Sequence, residues 1–232
     1  TDSGAHDSAT GDAIIVDEHS YHSPEWFAYQ ASRFDAYPRC GAGVYFGEYS
    51  ANGYFAGQPQ TEQGANTWKS ALGEAAFLTG CERNSDVVRM TSYAPLLAHI
   101  PAKGWAQNLI EFNPAHVNPT VNYEVERLFS THLGDTTYAV SIEQTASRPA
   151  KHLYVSATGH DRDDACRYIK IVNISDSPVD VTLEIARGLA GLGASPSRPV
   201  RLEVTTLSAN PTAKTTIGYR GEASGAIVPE RR

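Results

Sequence analysis

Apolar residues follow two different rhythms along this chain, and the change falls near Gly134-Asp135. Before that point, short apolar runs take turns with segments whose apolar residues recur every three or four positions. AIIVD (13–17) is a β-branched run of strand length. Ser23-Pro24-Glu25 then reads as an N-cap, a proline at the first helical position and an acid in the first turn. Phe27, Ala31 and Phe34 follow at helical spacing, and Pro38 and Gly41 close that predicted helix. GVYFG (43–47) predicts a second strand. WKSALGEAAFLTGCE (68–82) sets Trp68, Leu72, Ala75, Ala76 and Thr79 along one helical face, and VVRMTSY (87–93) predicts a third strand. A long irregular stretch follows. TVNYEVERLFSTHL (120–133) then places Val121, Val125, Leu128 and Phe129 on one face of another helix. Such alternation predicts parallel strands joined by crossover helices. Three parallel strands with helices on one side cannot close a barrel, and they leave exposed edges.

Beyond residue 134 the period drops to two. YAVSIE, KHLYVSATG, RYIKIVNIS, VDVTLEI, VRLEVTTL and TTIGYR alternate apolar and polar residues, with Ser-Asp-Ser-Pro (175–178), Gly-Leu-Gly (191–193) and Asn-Pro (210–211) as turn signals between them. The pattern predicts a half-buried antiparallel β-sandwich. LAGLGASPSRP, rich in Gly, Pro, Ser and Ala, reads as a loop within it, and no internal repeat is visible. The predicted class is therefore α/β plus all-β, with an α/β part over residues 1–133 and a sandwich over 134–232.

At 232 residues the chain can bury a sizeable core without metals or disulfides as staples. A net charge of -7 argues against nonspecific binding to nucleic acid or to an anionic membrane surface, and suits a neutral or small-molecule substrate. No apolar run approaches the ~20 residues that span a bilayer. The opening TDSGAHDSATGD is polar and is not expected to be a signal peptide. Position 1 is Thr and the one methionine is Met90, so a processed or trimmed chain, or a piece of a longer protein, is expected. Cys40, Cys81 and Cys166 are widely spaced and odd in number. They read as buried free thiols, with a disulfide between one pair left open.

In parallel α/β folds, functional side chains gather at the carboxyl ends of strands. Two clusters meet that condition. One is Asp17-Glu18-His19-Ser20-Tyr21-His22; the other is Glu48-Tyr49. If the first strand stays extended, Asp17, His19 and Tyr21 share one side. Glu48 stands at the matching place on the next strand, so a carboxylate flanked by an imidazole and a phenol could face a hydroxyl-rich ligand. Other groups read more plainly. Asp17-Glu18-His19 is too tightly spaced for a metal site and lacks a second cluster. His160-Asp161-Arg162-Asp163-Asp164 lacks the spacing of a calcium loop and reads as a hairpin tip. Asn173-Ile174-Ser175 fits a glycosylation acceptor but falls in a predicted strand. Neither a Gly-rich phosphate loop nor a G-x-S-x-G elbow is present.

Longer strings carry a resemblance. VDEHSYHSPEWF (16–27), VYFGEYSA (44–51), ALGEAAFLTGCERNSDVVRMTSYAPLLAH (71–99), GWAQNLIEF (104–112) and NPTVNYEVERLFSTHLGD (118–135) occur in this order. Together they closely resemble the later part of the α-L-arabinofuranosidases of glycoside hydrolase family 51, and KIVNISDSPVDVTLEI is similar to the family's C-terminal β domain. The resemblance implies a (β/α)8 barrel followed by a β-sandwich, with the three strands above as barrel strands six to eight. It implies retaining, exo-acting removal of terminal arabinofuranosyl groups from arabinan, arabinoxylan and related oligosaccharides. It makes Glu48 the nucleophile, and His19 and Tyr21 pocket residues that brace the carboxylates. No cofactor or metal is implied. Compartment and oligomeric state stay open, a homo-oligomer being compatible.

Two departures stand out. The family's acid/base glutamate belongs to an Asn-Glu motif that has no counterpart ahead of residue 13, so these residues are expected to lack it and to be inactive alone. The family's W-x-P-[ND]-L-I-x-F loop reads here with Gln107 for proline and Glu111 where an aromatic is common, which weakens any role for Trp105. The rival expectation is a non-catalytic carbohydrate-binding or structural β-sandwich protein with a remnant barrel. Against it stand the intact Gly47-Glu48 and His19-x-Tyr21 motifs, and a second half, 136–232, without Trp or Phe.

Overall fold

The computed structural model describes residues 14–52, 60–143, 152–160, 166–185, 201–217, 223–224 and 227–232. Strands β1 (Ile15–Tyr21), β2 (Gly43–Ser50) and β3 (Val88–Thr91) form a sheet in chain order. Both pairings are parallel, as the strand–helix alternation requires. Helix α1 (Pro24–Tyr29) leaves β1 through Ser23, whose Oγ accepts the Trp26 N–H at 3.3 Å. The expected single helix then tightens into a 3-10 segment, Gln30–Ala36. There three residues make a turn, and Ala31 and Phe34, three apart, both bury on the core side.

Helix α2 (Trp68–Arg83) joins β2 to β3 and is the spine of the molecule. An amphipathic face was predicted; instead every residue from 73 to 81 is buried. A helix enclosed on all sides needs no polar face. One side packs on α1 and the 3-10 segment through Gly73 and Gly80. A Cβ on Gly73 would come within 2.5 Å of the Pro24 carbonyl, and one on Gly80 within 2.0 Å of the Ala31 carbonyl. Phe77, between them in sequence, meets Phe27, Phe34, Phe46 and Tyr49 in the central aromatic cluster. Another side packs on α3 (Val121–Thr131), which Thr120 caps and which buries Val121 and Val125 as expected. The stretch read as irregular holds a small sheet of β4 (Leu97–His99), β5 (Ile110–Phe112) and β6 (Val117–Pro119). These three-residue strands are too short for alternation to register.

The second half docks on both ends of α2. At its start, Trp68 N–H and Lys69 N–H donate to the Ala213 and Pro211 carbonyls at 2.7 and 3.0 Å, filling donors that a helix end leaves open. At its end, Glu82 accepts from Ser156 Oγ at 2.6 Å and pairs with Lys170. Strands β7 (Thr136–Thr137), β8 (Leu153–Gly159) and β9 (Arg167–Asn173) make an antiparallel sheet. Farther on lie β10 (Thr205–Thr206), β11 (Thr216–Ile217), β12 (Ala223–Ser224) and β13 (Glu230–Arg231), paired β10 with β13 and β11 with β12.

The second half is thus β-rich and antiparallel, in small sheets of two and three strands among the described residues. Residues 138–143 and 179–185 take no place in a ladder among the described residues, and Val179, Val181, Leu183 and Ile185 are exposed. Their alternation is that of strands, but backbone pairing depends on partners that local pattern does not specify. The predicted loop at 188–199 and the acidic run 161–164 lie outside the described residues. Asn173 ends β9, and its Oδ1 accepts from Ser175 N–H and Oγ at 3.0 and 2.7 Å, an Asx turn. All three cysteines are free, but only Cys81 is buried; Cys40 and Cys166 are exposed, which corrects the expectation for those two. No described helix is long and apolar enough to cross a membrane.

Candidate active site

The parallel pairing of β1 with β2 decides which side chains meet. His19 stands opposite Glu48 and Tyr21 opposite Ser50, after a register shift between Glu18 and His19. Period-two alternation keeps Asp17, His19 and Tyr21 on one side of β1. On β2 the residue before Glu48 is glycine: a Cβ there would lie 2.1 Å from Asp17 Oδ1 and push that half-exposed carboxylate aside. The glycine therefore makes room for the Asp17 carboxylate beside Glu48.

Four side chains form a connected set. The Tyr21 hydroxyl donates a short hydrogen bond to Glu48 Oε2. His19 Nδ1 lies 3.5 Å from the same oxygen, and its Nε2 lies 3.0 Å from Asp17 Oδ2. A neutral imidazole has one N–H. The shorter contact makes Asp17 the acceptor of that proton, and leaves Tyr21 as the direct donor to Glu48. Burial, and then the bond and charge of Glu48, push the Tyr21 phenol well above its ordinary value. The side chains of Glu48 and His19 are each 45% exposed, so the carboxylate opens to solvent while resting on a fixed donor.

Glu18 points the other way. Arg33 Nη2 donates to its Oε2 at 2.7 Å and the Tyr37 hydroxyl to its Oε1 at 3.1 Å, which ties β1 to the 3-10 segment. His22 stacks on Trp26 with ring centroids 3.9 Å apart. Among the described residues no group of three or more His, Cys, Asp and Glu side chains is placed to hold a metal ion.

The two departures in the 104–112 segment have a structural basis. Gln107 is fully buried and its Nε2 reaches Ser70 Oγ and the Tyr93 hydroxyl at 2.8 Å, and Glu74 Oε1 at 3.3 Å. Its Oε1 accepts the Asn66 N–H at 3.1 Å. Glu111 is buried too, accepting from Asn118 Nδ2 at 3.2 Å and facing Lys103 Nζ at 3.5 Å. Trp105 is 42% exposed. Sequence reasoning missed Asp17 as the partner of His19 and passed over the buried Glu74 and the half-buried Glu126. The one signal for Glu74 was a lone acid within an otherwise uncharged run from Ser70 to Cys81.

Parallel strands with crossover helices, and a hydrogen-bonded carboxylate at their carboxyl ends, define an α/β protein with a polar, solvent-open site. The chain belongs to the α-L-arabinofuranosidase C-terminal domain family, whose profile matches residues 43–226. An extracellular exo-α-L-arabinofuranosidase of Streptomyces chartreusis is 45% identical over 121 residues, which are 52% of this chain and 13% of that protein. A probable α-L-arabinofuranosidase A of Aspergillus flavus is 33% identical over 181 residues, 76% of this chain and 26% of that protein. The chain therefore spans about a quarter or less of these relatives. An arabinose-bound α-L-arabinofuranosidase of family GH51 superposes with a TM-score of 0.69 at 26% identity, covering 94% of this chain and 33% of its own. A family 51 enzyme from Bifidobacterium longum, 13% identical with a TM-score of 0.60, shares the fold over 93% of this chain.

Proposed function

We propose that this chain is the nucleophile-bearing part of a retaining, exo-acting α-L-arabinofuranosidase that releases terminal arabinofuranosyl groups from arabinan, arabinoxylan and their oligosaccharides. The observation that carries the reading is the Glu48 carboxylate, held by Tyr21 and faced by His19 at the ends of adjacent parallel strands. In this reading β1, β2 and β3 are the last three strands of a (β/α)8 barrel over 1–133, and 134–232 is the sandwich. Support comes from the open sheet: Ile15 on edge strand β1 and Met90 on edge strand β3 are 53% and 55% exposed, as strands awaiting neighbours would be.

A retaining glycosidase sets two carboxyl groups about 5–5.5 Å apart across the scissile bond. Glu48 attacks the anomeric carbon as the C–O bond to the leaving group breaks, and forms a glycosyl-enzyme ester. The partner acid protonates the departing oxygen and then draws a proton from the water that cleaves the ester. That partner is supplied by chain outside these residues. Tyr21 donates to a Glu48 oxygen and so fixes the direction in which the carboxylate faces the sugar. His19 fixes the angle between Asp17 and Glu48.

In the full-length enzyme, Glu48→Ala is expected to abolish turnover of an aryl α-L-arabinofuranoside. Azide is expected to restore part of it and to yield a glycosyl azide of inverted configuration, read by NMR. Near-normal turnover in the variant without azide would show that Glu48 is not the nucleophile.

A further inference from the structure

Two carboxyl groups, Glu74 buried and Glu126 half-buried, grip the stretch of chain that follows Glu48. Glu74 of α2, fully buried, accepts the Ala51 backbone N–H at 2.8 Å through Oε1. Glu126 of α3 accepts the Tyr49 hydroxyl at 2.5 Å. Tyr49 and Ala51 are themselves fully buried, and they sit one and three residues past Glu48. Tyr49, next to Glu48 on β2, points to the side opposite it, and Ala51 lies just past the strand's last residue, Ser50. The two bonds therefore fix the chain at and just past the end of the strand that carries the carboxylate.

We propose that Glu74 and Glu126 are positioning residues for Glu48, fixing the end of β2 through Ala51 and Tyr49 and so setting the Glu48 carboxylate against Tyr21. This rests on the reading of Glu48 as the nucleophile. An apolar side chain at position 74 would fill the same space without burying an acid, and a buried acid is costly unless it is paired or neutral. Local rules of this kind are broken chiefly at functional sites. Burial pushes the Glu74 carboxyl up to about 8, against the lowering pull of the Asn122 amide and with the charge of Glu126 adding to the rise. Burial likewise pushes Glu126 up to about 7. The other titratable groups facing the pair are Tyr49 from β2, Tyr93 from the segment after β3 and Cys81 from α2.

The test uses the full-length enzyme and an aryl α-L-arabinofuranoside, with rates expressed per site labelled by a mechanism-based inactivator so that misfolded protein is not counted. Wild-type turnover and its loss in Glu48→Gln come first; absence of either overturns the nucleophile reading rather than this inference. With both in hand, Tyr49→Phe and Glu74→Leu are expected to lower kcat by about 10- to 100-fold while KM stays near wild type, because a displaced reacting group costs rate more than binding. Glu74→Gln keeps an acceptor for the Ala51 N–H and is expected to recover most of the rate. Variants whose kcat per labelled site matches wild type would overturn the proposal. So would a Glu74→Gln enzyme no better than Glu74→Leu.

Discussion

A phenol that stays protonated across the working range is a dependable donor, and Tyr21 is held in that state by burial and by the Glu48 charge it serves. Removing its hydroxyl leaves the ring in place and takes one bond from a charged acceptor, a loss of about 1.5–3 kcal/mol. In the full-length enzyme Tyr21→Phe is therefore expected to cut kcat/KM roughly 10- to 100-fold, read from initial rates on an aryl arabinofuranoside. An unchanged kcat/KM and pH profile would remove Tyr21 from the site. Glu74 gives a prediction for stability. Its carboxyl rises from 4.5 to about 8 on folding, so the native state binds the proton more tightly than the unfolded chain. That contribution is complete below about pH 4.5 and is lost as pH rises toward 8, so stability should fall across this window. Glu74→Gln, which cannot titrate, should flatten the fall in urea midpoints measured from pH 5 to 8. At this scale the alternation of DEHSY made the His19, Tyr21 and Glu48 grouping legible, because strand geometry alone brings them together. Asp17's hold on His19 was not legible: it depends on the space above Gly47, which only the parallel register creates.

Among the elements, α2 shows why a helical period can be read correctly and its environment missed. Its position and length match the sequence expectation closely, yet the predicted apolar face is one part of a surface buried all round. Small residues carry that burial: Gly73 and Gly80 let α1 and the 3-10 segment approach within contact of the helix backbone. Replacing a helix-interior glycine with alanine ordinarily stabilises by about 1 kcal/mol. Gly80→Ala should reverse that sign, since its Cβ would fall 2.0 Å from the Ala31 carbonyl and the packing there is backbone on both sides. A net loss of about 1–3 kcal/mol is expected from urea unfolding. A variant more stable than the parent would show that the two segments part without cost. The 3-10 turn and the short strands β4 to β6 were beyond sequence reading for a simpler reason. Each is fixed by what it packs against rather than by its own pattern.

The whole molecule is two halves locked onto α2, the second by the 211–213 carbonyls at one end of the helix and by Lys170 with Glu82 at the other. Burial lowers the Lys170 ammonium's hold on its proton, and Glu82 offsets only part of that loss. The halves were legible as a change of period from 3.6 to 2, and the parallel sheet as an alternation of elements. Ladder partners in the second half were not, because pairing of distant strands leaves no local mark. In the proposed reading Glu48 is one arm of the reaction, and the described residues offer no second acid assigned to the other. Residues 1–232 alone are therefore expected to turn over an aryl α-L-arabinofuranoside at least about 10²-fold more slowly than the full-length enzyme. Size-exclusion chromatography is expected to show association through the exposed edges of β1 and β3. A monodisperse monomer with ordinary glycosidase turnover would refute this, and would turn attention to Asp17 as the acid, since Glu18 is held on the far side by Arg33.

Gln107 ties this architecture to its history. Where the resembling family reads proline, one buried amide here serves the Asn66 backbone N–H, the Ser70 and Glu74 side chains of α2, and the Tyr93 hydroxyl. Removing the amide takes a donor and an acceptor from buried groups at once, which costs more than removing any single acceptor from it. A lineage that returned proline to this position would lose both together, and would have to rewrite its side-chain correspondents in step. Across descendants of this sequence, positions 70, 74, 93 and 107 should substitute as a block, at a pace set by the least tolerant of them.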